Sequence, residues 1–195
     1  MPREIFDAIQ ASRRTELRSA FASILPANGT PLILEIGCGH GHFLTAYASA
    51  HPEERCIGID LRLERTDKAL RKRDRAGLSN LHFLRCDAHN FLMELPAGVT
   101  LTDIYILFPD PWPKKRHHKN RLIQTEFLNE LGARAGQGSR LFFRTDYQPY
   151  FDEAREIIAA HPQWSLLPDH SFPFEHVTVF QSRAPTFYSL GAFRT

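Results

Sequence analysis

Four acids stand where apolar runs end: Glu35 in the run 32–36, Asp60 closing 56–60, Asp87 after 81–85 and Asp110 after 102–108. Carboxylates in such places can accept hydrogen bonds from hydroxyl, amino and ring N–H groups and can attract a cation. Asp110 has the most informative neighbours, in Phe108-Pro109-Asp110-Pro111-Trp112-Pro113-Lys114-Lys115-Arg116-His117-His118-Lys119-Asn120-Arg121. There an acid and an indole share a proline-stiffened turn ahead of a basic run that contains no acid. Ligands of open α/β sheets bind beyond the carboxyl ends of strands. The segment therefore predicts a nucleobase pocket with a phosphate-binding apron. Trp112 could stack on a base, worth roughly 1–3 kcal/mol, and Lys114 and Arg116 belong to a run suited to phosphates.

The stretch 32–44 is an apolar strand that runs into three alternating glycines, Gly37, Gly39 and Gly41. Glycines there allow a tight turn and let a ligand lie against bare backbone. Asp60 follows at about the 20-residue spacing at which an acid reaches ribose hydroxyls. A dinucleotide's pyrophosphate would want amides and positive charge instead of these carboxylates. S-adenosylmethionine has no phosphate; it carries a sulfonium, an α-ammonium, two ribose hydroxyls and an adenine amino group. That favours Glu35 for the methionine end or ribose, Asp60 for the ribose hydroxyls, and Asp87 with the Ala88 amide for the adenine edge. A helix N-cap is the competing reading for each acid taken singly.

Taken together, 34–41, Gly58-Ile59-Asp60, Cys86-Asp87-Ala88 and 108–114 resemble the tRNA (guanine-N7)-methyltransferase family of Rossmann-like, S-adenosylmethionine-dependent enzymes. The likeness runs from about residue 32 to 152. It implies that Glu35, Asp60, Asp87 and Asp110 contact the cofactor or lie in its pocket, with Asp110 in the active-site role. It also implies that Lys114 and Asp146 contact substrate, that the product is 7-methylguanosine in the tRNA variable loop, and that the sheet ends on an antiparallel strand. The family's T-K-F-E tail is altered here to Thr186-Phe187-Tyr188-Ser189, leaving Thr186 and the Tyr188 ring as its counterparts.

Guanine N7 presents a free lone pair, so its methylation needs no base. Positioning supplies much of the rate. A carboxylate at Asp110 could accept from guanine N1–H and its amino group and stabilise the cation formed on alkylation. Two other readings remain open. Asp110-Pro111-Trp112-Pro113 also resembles the motif of methyltransferases acting on amino or amide nitrogens, and the chain could be a non-catalytic RNA-binding module that retains the cofactor fold.

The elements that must position these residues alternate. Helices are expected at about 3–23, 43–50, 64–76, 89–95, 121–133 and 148–161, and strands at 32–36, 56–60, 81–85, 102–108, 140–145, 164–167 and 177–182. Such alternation means a mostly parallel, seven-stranded sheet covered on both faces. We expect a single domain over 1–195, with an N-terminal helical segment at 1–30, a boundary at 26–31 and a core from 31 onward. With 195 residues, 43% hydrophobic and 24% charged, the chain can bury such a core. The cations from Arg62 to Arg75 interleave with Glu64, Asp67 and Asp74, which predicts a solvated helix face with i,i+4 pairs.

His117 and His118 lack the spaced partners of a zinc site, so no metal is expected. Cys38, Cys56 and Cys86 form no C-x-x-C and read as reduced, small apolar residues. Without a long apolar run or signal segment, the expectation is a cytoplasmic protein, monomeric or homodimeric, with tRNA as partner and no helper subunit indicated.

Overall fold

The computed structural model describes residues 3–25, 30–168, 172–177, 181–184 and 186–195. Its elements run α1 (Arg3–Ile24), β1 (Thr30–Ile36), α2 (His42–Ala50), β2 (Cys56–Asp60), α3 (Leu63–Ala76), β3 (Leu81–Arg85), α4 (Ala88–Glu94), β4 (Val99–Leu107), α5 (Thr125–Gly132), β5 (Ala135–Thr145), α6 (Gln148–Ala159), β6 (Trp164–Leu166) and β7 (Tyr188–Arg194). The seven strands lie in the order β3-β2-β1-β4-β5-β7-β6. β1 pairs in parallel with both β2 and β4. Among the described strands, β7 is antiparallel to both of its neighbours, β5 and β6.

Strand β1 shows why the sheet is double-sided. Leu32, Leu34 and Ile36 pack into one core with residues of α1, α4, α5 and α6. Ile33 points the other way, into a core with Phe43, Leu44 and Tyr47 of α2 and Ala69 of α3. Alternation by two puts successive side chains on opposite faces. Helix α1 docks through Leu17, Phe21 and Leu25, spaced one turn apart. Its Phe21 ring meets the Phe91 ring of α4 edge-on at 5.3 Å.

Two expected elements differ. The helix expected at 121–133 starts only at Thr125, because 115–120 form a 3-10 turn and Arg121 turns inward. The strand expected at 177–182 is corrected: Val177 is in no strand, Gln181–Arg183 form a 3-10 turn, and 178–180 lie outside the described residues. The antiparallel final strand implied by the resemblance is present, at Tyr188–Arg194. The boundary expected at 26–31 falls largely outside the described residues. No described helix is long and apolar enough to cross a membrane.

Candidate active site

Strand order reverses at β1, since the chain leaves toward β2 and β3 and returns on the other side at β4. The connections after β1 and β4 therefore diverge and open a crevice. A cavity of about 360 Å³ occupies it, lined by residues following β1 (Gly37), β2 (Leu61, Arg62), β3 (Asp87, Ala88) and β4 (Phe108, Asp110), together with Asp60, Arg65 and Trp112.

Gly37 and Gly39 have φ of 76° and 55°, with open space where a Cβ would stand. The turn is held from both ends: Gly37 N–H and Cys38 N–H donate to the Ile59 carbonyl, and Gly39 N–H donates to Asp60 Oδ2 at 3.0 Å. Gly41 does a different job. A Cβ there would stand 2.5 Å from the Phe83 ring, which also packs against Gly58, so Gly41 is needed for close packing. Neither Gly39 nor Gly41 is among the cavity-lining residues.

The acids divide sharply. Asp60 is buried, and its Oδ1 accepts from Arg62 N–H at 2.8 Å while Arg65 Nη1 lies 3.6 Å from Oδ2. Each carboxylate oxygen retains lone-pair capacity. Glu35 is buried behind the glycine turn, and its Oε2 has no partner. Burial pushes its carboxyl up to about 8, against the Leu44 backbone hydrogen bond; nearby Asp60 adds to the rise and Lys72 opposes it. Asp87 caps α4, accepting from Asn90 N–H at 2.8 Å and Asn90 Nδ2 at 2.6 Å, yet it also lines the cavity beside Ala88. Ala88 is the first residue of that helix, so its amide has no intrahelical acceptor. Cys86 lines the cavity as well, with burial pushing its thiol up to about 12, which keeps it protonated and non-nucleophilic. All three cysteines are free and buried.

The Asp110 loop is a strained arch. Phe108 (φ 51°) and Trp112 (φ 45°) are the described non-glycine residues with positive φ, and they flank Pro109-Asp110-Pro111. Such conformations cost about 1–3 kcal/mol each and persist only where the surroundings enforce them. Here two arginines do so. Arg121, placed by its position in the basic run among the expected phosphate contacts, is instead buried. It donates from Nε to the Pro111 carbonyl at 3.0 Å, pairs with Glu153 of α6, and lies over the Tyr150 ring at 4.9 Å. Arg144, at the end of β5, accepts Phe108 N–H on its carbonyl at 2.7 Å. Its guanidinium gathers Glu175, Gln181 and Ser189 and stacks on Phe172 and Phe187. The Phe187 ring touches that of Phe108 at 6.2 Å, so the tail is fastened to the arch.

Asp110 is exposed at the rim, and Trp112 stands edge-on to His117 at 5.8 Å. Lys114, Lys115, Arg116 and Lys119 are exposed, while His118 leans toward Glu153 at 3.4 Å. Asp146 and Thr186 are exposed near the same edge, one just past β5 and the other just before β7. Tyr188 is used within the fold: its hydroxyl bonds Gln148 at 3.2 Å and its ring packs on Phe151 at 5.4 Å.

Sequence reasoning passed over Arg62 and Arg65 at the cavity and the anchoring roles of Arg121 and Arg144. The i,i+4 pairs expected on α3 are absent among the described residues; Arg73 pairs with its neighbour Asp74, and Arg65 turns to Asp60.

This sheet order, with a glycine turn after β1 and acids behind the ends of four strands, defines the Rossmann-like methyltransferase type of α/β fold. The chain matches the family described as "Putative methyltransferase" over residues 29–184, and it belongs to that family. Among curated proteins, the tRNA (guanine-N(7)-)-methyltransferase of Streptomyces coelicolor is 36% identical over 137 residues, 70% of this chain and 51% of that protein. The protein of the same name from Syntrophotalea carbinolica is 40% identical over 130 residues, 67% of this chain and 56% of its own. The chain thus spans about half the length of these curated relatives. An rRNA methylase from Streptococcus thermophilus superposes with a TM-score of 0.58 at 11% identity, covering 91% of this chain and 93% of that one. The antibiotic-resistance methyltransferase Kmr gives 0.60 at 19% identity, with the same two coverages. At these identities the structural likeness is one of fold.

Proposed function

We propose that this chain transfers a methyl group from S-adenosylmethionine to N7 of a guanine in tRNA, forming 7-methylguanosine. The observation that carries this reading is the placing of Asp110 and Trp112 on the rim of the same cavity that Gly37, Asp60, Asp87 and Ala88 line. The relatives' shared name supports the base and the nucleic acid.

The residues fit the cofactor. The cavity lies within the size range of small-molecule sites, and the unpartnered Glu35 Oε2 supplies a buried acceptor behind the glycine turn. Glu35 would hold the cationic methionine end, Asp60 the ribose hydroxyls, and Asp87 with the Ala88 amide the adenine edge. Ile36, Ile59 and Leu122 provide apolar wall. When bound, the cofactor supplies an electrophilic methyl group on a sulfonium.

The chain's own residues then position and stabilise. Asp110 accepts from guanine N1–H and the amino group, fixing the purine and favouring the positive charge that develops as N7 is alkylated. Trp112 offers a stacking face, and Lys114, Arg116 and Lys119 carry the phosphates around the target. Asp146 and Thr186 close the substrate side. The test is incubation with methyl-labelled S-adenosylmethionine and unmodified tRNA, followed by nucleoside analysis. Label in 7-methylguanosine supports the reading. Label in another nucleoside, or none despite cofactor binding, overturns it.

A further inference from the structure

A second concavity lies beside the cofactor cavity, between the entry to α2 and the outer face of α3. Its volume is about 250 Å³, and it is lined by His40, His42, Lys68, Arg71, Lys72 and Arg75, with no carboxylate among them. Lys68, Arg71, Lys72 and Arg75 follow the i, i+3, i+4, i+7 spacing that puts them on one helix face. Arg65, one turn earlier, lines the cofactor cavity. The row from Arg65 to Arg75 is therefore about 15 Å long, and it starts at the site's rim.

Arg65, at the start of the row, is paired with Asp60, but the four cations that line the groove have no close anionic partner among the described residues. None of Lys68, Arg71, Lys72 and Arg75 is in an ion pair among the described residues, whereas Arg73, just off the row, is paired with Asp74. Lys72 is held in place by donating to the His40 carbonyl at 2.9 Å, which leaves two of its N–H groups to point elsewhere. His40 is held below its ordinary value first by burial, with Lys68, Arg65 and Lys72 adding to the lowering and Asp60 opposing it. Glu64 and Asp67 share the helix but do not line this groove, whose charged walls are all basic.

We infer that the groove between the α2 entry and α3 is a second RNA-binding site, which takes backbone phosphates of the nucleic acid whose base enters the neighbouring cavity. The inference rests on the reading of the chain as an RNA methyltransferase. Contiguity through Arg65 selects RNA as the occupant, since a strand laid along α3 leads to the crevice where its base must be presented. With the exposed cations after Trp112, the groove makes two basic tracks that leave the cavity on different sides.

The experiment is fluorescence anisotropy of unmodified tRNA at several salt concentrations. It compares wild type with Arg71→Gln/Arg75→Gln and with the charge-matched Arg134→Gln/Arg155→Gln, of which Arg155 lies on α6 over the opposite face of the sheet and Arg134 in the turn between α5 and β5. The groove variant should show a dependence of log K on log salt less steep by about 1 to 2. The matched variant should keep the wild-type slope, and S-adenosylhomocysteine binding should be equal in all three. Equal loss of slope in both variants would reduce the effect to net charge and overturn the site, and so would an unchanged slope in the groove variant. A slope difference without methyl transfer to tRNA supports the groove and removes only the proposed reaction.

Discussion

The proposed cofactor side and the proposed substrate side of the site are built on opposite plans. Behind β1 and β2, acids are buried and tied to backbone amides: Asp60 is bound to Gly39 and Arg62, and Glu35 lies under the glycine turn. Beyond β4, Asp110, Lys114, Asp146 and Thr186 are exposed, and precision comes from an arch whose strained residues are held from below by Arg121 and Arg144. The first plan suits a small ligand enclosed by the fold. The second suits a large one that supplies part of the site when it docks. On the proposed reading, burial would preorganise the cofactor side and anchored strain the substrate side.

Substitutions can break that division. The largest effect belongs to Asp60→Ala, which removes the Gly39 and Arg62 hydrogen bonds together with the proposed ribose contact. The cofactor Kd should rise about 100-fold or more while tRNA affinity stays within about threefold; calorimetry and anisotropy measure the two, and equal losses would merge the halves.

Arg121→Ala should lower stability by about 2–3 kcal/mol, since it strips the Pro111 carbonyl and Glu153 of a buried partner. Urea unfolding measures that loss. Turnover at saturating cofactor should also fall, with Arg121→Lys recovering only part because one ammonium cannot replace the fork. Full recovery of turnover by lysine would deny the arch its anchor.

Glu35 gives a pH signature. Its carboxyl is raised from 4.5 to about 8, so the folded chain holds a proton that the unfolded chain has released. Stability from this group is therefore present below about pH 4.5 and is lost as pH rises toward 8. Glu35→Gln should flatten that fall, gaining on wild type by on the order of 3 kcal/mol between pH 5 and pH 8. Parallel pH profiles of the two proteins would place the buried proton elsewhere.

The smallest effect is expected from Lys114→Ala/Arg116→Ala, which should reduce the salt slope of tRNA binding by about 1 to 2 without altering the cofactor Kd.

Much of the architecture was legible because apolar runs ended in turn residues. Cys56–Asp60 and Leu81–Arg85 match the expected strands in full. The final strand was concealed by Gly191, mid-strand, where a Cβ would stand 2.7 Å from a Leu167 methyl, so packing beside β6, not strand propensity, accounts for a glycine there. The strand expected at 177–182 fails at its ends, where Val177 is in no strand and Gln181–Arg183 form a 3-10 turn; 178–180 lie outside the described residues.

The acids of the site could be seen from their positions after apolar runs. Arg121 could not be separated from the cations before it until the 3-10 turn brought it inward. The interleaved acids of α3 likewise suggested neutralisation that the helix geometry does not deliver.

The central claim is that the two halves share one cavity yet act separately, with Asp110 serving the base. Single-turnover methyl transfer by Asp110→Ala, saturated with S-adenosylmethionine and tRNA, tests it most directly. We predict a rate at least about 100-fold below wild type, with the cofactor Kd changed by less than about threefold. A rate within about tenfold of wild type, or cofactor affinity that falls in step with the rate, would contradict the account.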